Sequence, residues 1–282
     1  MGYSQGPGST AGPEAMKLRN FRFFFAGALL LCVGCEKDTP PTTNRMPRAI
    51  AHAMGGIEKT TYTNSLEAFQ LTYANGCRYL EADLWVTADA QLVLFHDGLE
   101  GQFKIREGFT AAEYSGIRIF GKFTPIGMDS LTRLFVEKPD WYLVTDVKND
   151  QRQALTLLCA ALHPNGVDCR ERVIPQIYNT GDDLEIVKKI GFRRVIFALY
   201  RMGSIRDDDI VQFARKNPEI VAITMPKGRW NKKLVARLSE LGVKTYLHTI
   251  NGAAETAALL KRGVWGVYTD YDCGAPDPGV KR

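Results

Sequence analysis

YLEADLWVTADAQLVLFHDG, residues 79–98, contains two apolar runs that read as strands, each interrupted by groups a sheet core would not choose. Glu81 and Asp83 sit two apart in the first run, and His96 and Asp97 close the second. Between the runs lie only residues 87–90, too few for the crossover that parallel neighbours need. An antiparallel hairpin follows. Pairing Val86 with Gln91 across the turn sets Glu81 opposite His96, and Asp83 shares the face of Glu81 because strand side chains alternate with period two. One hairpin is therefore expected to present two carboxylates and an imidazole together. The plainer alternative is an edge strand whose acids face solvent.

Similar apolar runs recur at 49–53, 141–147, 173–178, 194–199, 220–224, 244–249 and 265–269, which with 78–86 and 92–96 makes nine strand candidates. Amphipathic stretches separate most of them. Segment 64–75 opens on Asn64, and 180–190 carries acids early and lysines late, as the helix dipole favours. Segments 231–241 and 253–262 stop at Gly242 and Gly263. Alternating strand and helix predicts an α/β fold, a TIM-type (β/α)8 barrel forming a single domain over 48–282. Nine candidates compete for eight barrel places, and the hairpin accounts for the surplus.

In such a barrel the C-terminal strand ends line the active face. The first run ends near His52, followed by AMGG, a small-residue turn that lets a ligand approach the backbone. The run at 141–147 continues as TDVKND, offering Asp146 and, on the same face, Lys148. Later runs end in Gln176, Tyr200-Arg201, Thr224, His248-Thr249-Ile250-Asn251 and Thr269-Asp270. Each alone has a plain account: a capping Asn, a satisfied core His, an ion pair at a strand end. Three acids (Glu81, Asp83, Asp146), two histidines (His52, His96) and Lys148 at converging ends need a neutralising partner, because unpaired buried charges cost several kcal/mol each. Three carboxylates suit a hard divalent cation, Mg2+ or Ca2+. Two histidines suit acid and base work near neutral pH, and a lysine suits a phosphate oxygen. The set describes a metal-dependent phosphodiesterase.

The 282 residues are 45% hydrophobic and 24% charged, enough for one large core. A net charge of +5, without long basic runs or acidic tails, points to no nucleic-acid partner. Residues 1–15 read as an upstream extension or cloning scar. From Met16 a basic start leads into FFFAGALLLCVG, residues 23–34. A helix of that length rises about 18 Å against a bilayer core of roughly 30 Å, so it fits a signal peptide better than a membrane span. Gly34-Cys35 resembles a bacterial lipoprotein signal, which makes Cys35 the acylated residue, although Cys32 stands where that signal usually has Leu. The expectation is a signal peptide at 16–35, a Thr/Pro-rich linker at 36–47, and a membrane-anchored lipoprotein of the cell envelope. Ordinary cleavage, giving a periplasmic or secreted protein, is the alternative. Cys32 and Cys35 have no second pair to build a zinc site. Cys159 and Cys169 could be paired in an exported protein or be ordinary buried thiols, and Cys77 and Cys273 are unassigned.

The order IAHAMGG, TNSLEAF, GCRYLEADLWVTADAQLVLFHD, YLVTDVK, HTIN, GVYTDY resembles the glycerophosphodiester phosphodiesterase family. That family belongs to a wider superfamily with phosphatidylinositol-specific phospholipase C and sphingomyelinase D. The resemblance runs from about Ile50 to Tyr271. It implies that His52 and His96 are the catalytic pair, with Glu81 and Asp83 as metal ligands. Asp146 stands where the family has a third liganding Glu, and Lys148 matches its phosphate-contacting lysine. His248 stands where an aromatic residue is usual. Ala53 and Met54 follow His52 where the family has a phosphate-contacting Arg and then Gly, and TNS replaces the family's ENT. Lys104, Arg106 and Lys122 in the divergent segment after His96, or Arg201, are candidates to replace the arginine, with Lys122 favoured. The implied reaction is hydrolysis of a glycerophosphodiester or lysophospholipid-like substrate, one histidine taking a proton and the other giving one to the leaving alkoxide. Lipid head-group cleavage, and phosphodiester binding without turnover by a surface lipoprotein, are the alternatives.

Overall fold

The computed structural model describes residues 46–271 together with Gly2 and Cys273. The expected signal peptide, Cys35 and nearly all of the expected linker lie outside the described residues. The described residues form nine strands: β1 Ala49–Ala51, β2 Tyr79–Val86, β3 Leu92–Leu94, β4 Tyr142–Val147, β5 Val173–Ile177, β6 Val195–Ala198, β7 Ile220–Pro226, β8 Lys244–His248 and β9 Gly266–Thr269. Neighbours run β1-β9-β8-β7-β6-β5-β4-β2, and a β1–β2 pairing closes the ring. All pairings in the ring are parallel, and β3 alone runs antiparallel, against β2. This is a (β/α)8 barrel with one appended hairpin strand.

The helices are α1 Leu66–Ala74, α2 Glu100–Phe103, α3 Ala111–Ser115, α4 Met128–Glu137, α5 Gln151–Leu162, α6 Cys169–Arg172, α7 Asp182–Ile190, α8 Asp207–Lys216, α9 Lys232–Glu240 and α10 Ala253–Lys261. Their ends follow local chemistry. Ser65, Asp150 and Asn231 cap α1, α5 and α9 by accepting from backbone N–H groups of the first turn. Acids open α7 and α8 and bases close them, matching the dipole. Among the described residues no helix is long and apolar enough to cross a membrane.

Two cores result. One lies between helices and barrel, filled by residues such as Leu80, Leu143, Leu155, Phe197 and Leu247. The other plugs the barrel itself with Ile50, Tyr79, Val144, Ile174, Ile196, Ala222, Tyr246 and Tyr268. Side chains two residues further along a strand share its face. That step leads to His52, Glu81, Asp146, Gln176, Ala198, Thr224, His248 and Asp270. The barrel interior is therefore apolar below and almost wholly polar at its C-terminal mouth.

The hairpin register differs by one residue from the sequence expectation. Val86 pairs with Leu92, not Gln91. Thr87 explains the shift: its N–H donates to the Gln91 carbonyl (2.8 Å) while its hydroxyl accepts from Gln91 N–H (3.0 Å), closing a five-residue turn over 87–91. Phe95 N–H then donates to the Asp83 carbonyl, so alternation alone would put His96 on the far face. His96 escapes this because β3 ends at Leu94 and the chain leaves the sheet. The segment between β3 and α4 builds a third, aromatic core from Phe95, Phe103, Phe109, Tyr114 and Phe123, a cap beside the hairpin. Gly55 and Gly56 also have a different reason from ligand approach. A Cβ on Gly55 would meet Thr72 at 2.0 Å, and one on Gly56 would meet the Tyr271 ring at 2.3 Å, so α1 and the chain after β9 need the space.

Among the described residues two disulfides tie the shell. Cys159 at the end of α5 joins Cys169 at the start of α6, with Cα atoms 5.2 Å apart. Cys77, before β2, joins Cys273, after β9, with Cα atoms 5.5 Å apart.

Candidate active site

Glu81 and Asp83 point into the barrel from β2, and Asp146 arrives from β4 in register with Asp83. All three are buried, and one ligand oxygen of each lies within 4.8 Å of the others. Each acid is held differently. Glu81 Oε2 accepts from Ala53 N–H at 2.7 Å, while its buried Oε1 has no partner among the described residues. Asp83 is gripped by Asn64, whose Nδ2 donates to Oδ2 (2.7 Å) and whose Oδ1 accepts from Asp83 N–H (3.0 Å). Asp146 accepts from the hydroxyls of Tyr178 (2.5 Å) and Tyr200 (2.8 Å to Oδ2).

Lys148, almost fully buried, lies 2.8 Å from Asp83 Oδ1 and 3.0 Å from Asp146 Oδ2. The charges sort accordingly. Burial would raise the Asp83 pKa, but Lys148 and the neighbouring histidines hold it below the usual carboxylate range. Glu81 lacks a contact like that of Lys148; burial first and the Asp83 charge second push it up, against the opposing charge of His52. A crowded, oxygen-only donor set with one orphaned carboxylate oxygen fits a hard divalent cation, which would remove both penalties on Glu81. The triad could hold such an ion.

His52 sits at the end of β1, and its Nδ1 is 2.8 Å from Asp270 Oδ1, across the β1–β9 pairing that closes the ring. Asn251 fixes Asp270 in turn, donating to Oδ2 (2.7 Å) and accepting from the Asp270 N–H (2.8 Å). Burial would lower the His52 pKa, yet the Asp270 bond and the Glu81 and Asp83 charges carry it up to about 9. His96 lies across from it. The Tyr62 ring stands edge-on between the two imidazoles, its centroid 4.7 Å from that of His52 and 4.8 Å from that of His96.

Of the remaining expected residues, Arg201 packs over the Tyr178 ring at 4.1 Å and brings Nη2 to 3.4 Å from Asp146 Oδ1. Lys122 lies elsewhere: it is exposed and ion-paired to Glu58 at 2.7 Å. His248 lines a narrow cleft of about 40 Å³ with His52, Glu81, Asp146, Gln176, Tyr200, Thr224 and Tyr268. Burial and the charge of His52 push its pKa down to about 4, so it is neutral at pH 7. A larger cavity beside Cys159, His163 and Cys169 lies at the opposite end of the barrel, where β5 begins, and holds no part of this cluster.

Residues 55–216, more than half of the chain, match the model of the glycerophosphoryl diester phosphodiesterase family. The chain belongs to that family. It is accordingly an enzyme that hydrolyses phosphodiesters. The matched segment contains Glu81, Asp83, His96, Asp146 and Lys148 and stops short of His52, His248 and Asp270 at either end. No curated protein matches the sequence significantly. Among solved structures, a candidate glycerophosphodiester phosphodiesterase from Galdieria sulphuraria aligns over 81% of this chain and 96% of its own, at 18% identity and a TM-score of 0.69. A phosphodiesterase from Oleispira antarctica, in complex with the product sn-glycerol-3-phosphate, covers 81% and 94% at 15% identity and a TM-score of 0.65. The glycerophosphodiester phosphodiesterase of Thermotoga maritima covers 80% and 95% at 19% identity and a TM-score of 0.61. At these identities the likeness establishes the barrel.

Sequence reading passed over several residues of this family member's mouth. Asp270 was visible at a strand end, yet only ring closure pairs it with His52. Asn64 was legible only as a helix opening and Tyr62 carried no signal. Tyr200 was visible at a strand end without a partner, and Tyr178 only closed a strand candidate.

Proposed function

We propose that the chain hydrolyses a glycerophosphodiester, with His52 and His96 as the acid and base. The observation that carries this reading is one barrel mouth that gathers the oxygen triad, the Asp270-held His52 and His96 facing it across Tyr62. Glu81, Asp83 and Asp146 would hold a divalent cation, which would supply Lewis-acid polarisation of a phosphoryl oxygen. The chain's own residues do the rest. Asp270 holds Nδ1 of His52 and leaves Nε2 for proton transfer. His96 Nδ1 lies 2.7 Å from the Asp97 carbonyl, which likewise leaves Nε2 for the substrate. One ring takes a proton from the attacking hydroxyl or water, and the other returns one to the leaving alkoxide. Lys148 and Arg201 balance phosphate charge, and Arg201, already beside Asp146, suits the place of the absent arginine better than Lys122. A loss of at least tenfold in kcat/KM for Arg201→Ala, with little loss for Lys122→Ala, is the expected pattern.

The test is a panel of glycerophosphodiesters and lysophospholipids assayed with Mg2+, with Ca2+ and with chelator. Cation-dependent release of glycerol phosphate supports the reading. Turnover indifferent to chelator would instead favour the phospholipase C-like alternative, and no turnover of any diester would leave a binding protein.

Export to an oxidising compartment is part of the same proposal. Two disulfides and the signal-like start are its support. Mass spectrometry of the protein from cell envelopes should find an acylated Cys35; an unmodified or cleaved Cys35 would leave secretion.

A further inference from the structure

The face of the barrel opposite the mouth takes no part in the proposed chemistry, yet it is strongly charged. Parallel strands all start at this base and end at the mouth, so the segments leading into them line the base. Those segments are 46–48, 75–78, 138–141, 163–172, 191–194, 217–219, 241–243 and 262–265. They hold eight lysines and arginines against four acids, and Lys244, the first residue of β8, adds a ninth cation. Helices also end here and favour cations, but only within their last turn. Arg48, Arg78, Arg172, Arg194 and Lys244 stand at strand starts, where the helix dipole does not account for them.

Internal pairing leaves most of this charge in place. Arg78 is paired with Asp140 and Arg170 with Asp168. Arg48, Arg172, Arg194 and Lys244 have no ion pair among the described residues; carbonyls and rings hold them instead. Arg48 donates to the Trp265 carbonyl at 2.8 Å and lies 3.8 Å from the centre of that ring, which Lys244 approaches at 4.1 Å. Arg172 donates to the carbonyls of Trp141 and Lys138 at 2.8 and 3.0 Å. Arg194 lies 4.9 Å from the centre of the Tyr142 ring. Such contacts fix a cation without cancelling its charge. The result is a positive face that also carries Trp265 and Tyr142, both half-buried.

The chain enters the domain on the same face. Trp265 Nε1 donates to the Pro47 carbonyl at 2.9 Å, and Met46 is buried in the barrel plug, so β1 is fed from the base. Met46 follows Cys35 by eleven positions, a length of chain that spans at most about 40 Å. An acylated Cys35 therefore tethers the domain by its base. We propose that this base is a docking surface for anionic phospholipid head groups, and that the anchored enzyme sits base-down with its mouth open to the aqueous phase. Each cation near an anionic leaflet strengthens attraction roughly fivefold, and Trp and Tyr rings are favoured at the head-group level. The proposal rests on the export and acylation reading for its partner; a nucleic acid suits the charge but not that compartment.

The experiment measures co-sedimentation of the full chain with vesicles of phosphatidylcholine alone and of phosphatidylcholine mixed with phosphatidylglycerol, at low and high salt. Every variant carries the same N-terminal segment, so the difference between the two vesicles reports the folded domain. Wild type is expected to prefer the anionic vesicle by about tenfold or more at low salt and to lose the preference at high salt. Lys138→Glu/Arg193→Glu, on the base, should abolish the preference, whereas Lys122→Glu, on the cap beside the mouth, should keep it. Circular dichroism melts identify a variant that fails to fold, and Lys244→Glu then replaces the base variant. Hydrogen exchange of vesicle-bound wild type should show protection at 191–194, on the base, and none at 199–206, on the mouth. Equal binding to both vesicles, a preference that survives reversal of the base charges, or protection at the mouth would overturn the docking surface. Duplex DNA bound more tightly than the anionic vesicle would reassign the face to nucleic acid. An anionic preference in a protein whose Cys35 is unmodified would keep the docking surface and sink the anchor. An acylated Cys35 without the preference would do the reverse.

Discussion

His52 depends on a relay of fixed groups: Asn251 holds Asp270, and Asp270 holds the imidazole. Asp270→Asn keeps the shape and removes the charge, and should lower kcat on the order of 10²-fold or more. NMR titration of the metal-free variant should place the His52 pKa well below about 9, because the Asp270 bond is the chief influence raising it. An unchanged titration would remove Asp270 from the positioning role. His248 makes the opposite contribution. Its folded pKa of about 4 lies below the unfolded value of 6.5, so the unfolded chain binds the proton first as pH falls. Stability is therefore unaffected above about pH 6.5 and lost on the way down to about 4, by on the order of 2–3 kcal/mol. Urea unfolding at about pH 7 and pH 4.5 should show a smaller loss for His248→Phe than for wild type, and equal losses would refute the assignment.

At the scale of elements, the mouth is shaped by what surrounds the β2–β3 hairpin. The loop between β1 and α1 delivers Asn64 in a left-handed conformation (φ +47°), a place Asn tolerates better than most residues. Its two bonds to Asp83 make it the support of one carboxylate of the acidic triad. Asn64→Ala leaves a buried carboxylate oxygen and a buried N–H unpaired, and should cost about 2 kcal/mol or more. A thermal melt matching wild type would show that the clamp is dispensable. The aromatic cap packs Phe109 against Trp85 of β2 and against Phe95, the residue before His96. Phe109→Ala should cost roughly 3–5 kcal/mol in urea unfolding and raise KM by loosening the segment that carries His96. A normal KM in a destabilised variant would separate cap packing from the site.

For the molecule as a whole, closure of the ring is the decisive event, and the Cys77–Cys273 disulfide spans it with a sequence separation of 196. A covalent loop of that length restricts the unfolded chain strongly. The double variant Cys77→Ser/Cys273→Ser should lose roughly 2–5 kcal/mol, read by urea unfolding of the oxidised proteins. Removal of divalent cations should act on the same scale, leaving three buried carboxylates around Lys148. Chelation should abolish turnover and lower the melting temperature, with both restored by Mg2+ or Ca2+. A melting temperature insensitive to chelator and to added cation would argue against a metal at Glu81, Asp83 and Asp146.

Strand and helix identity, the short hairpin turn and the barrel class are properties of neighbouring residues, so periodicity and loop length exposed them. Glu81, Asp83, Asp146 and Lys148 were legible for the same reason: charges at period two on apolar strands are costly unless they share a partner. The one-residue register shift was not legible, because the Thr87 side chain closes the turn by bonding groups that only the folded loop presents. Asp270 beside His52, Tyr178 and Tyr200 on Asp146, and Cys77 joined to Cys273 were equally out of reach. Each joins residues far apart in the chain, with separations from 32 to 218. Local sequence determined which side chains point into the barrel, since strand alternation needs no distant contact. Only closure of the ring decided which of them meet, because the β1–β2 and β1–β9 pairings that shut it bring the two ends of the domain side by side.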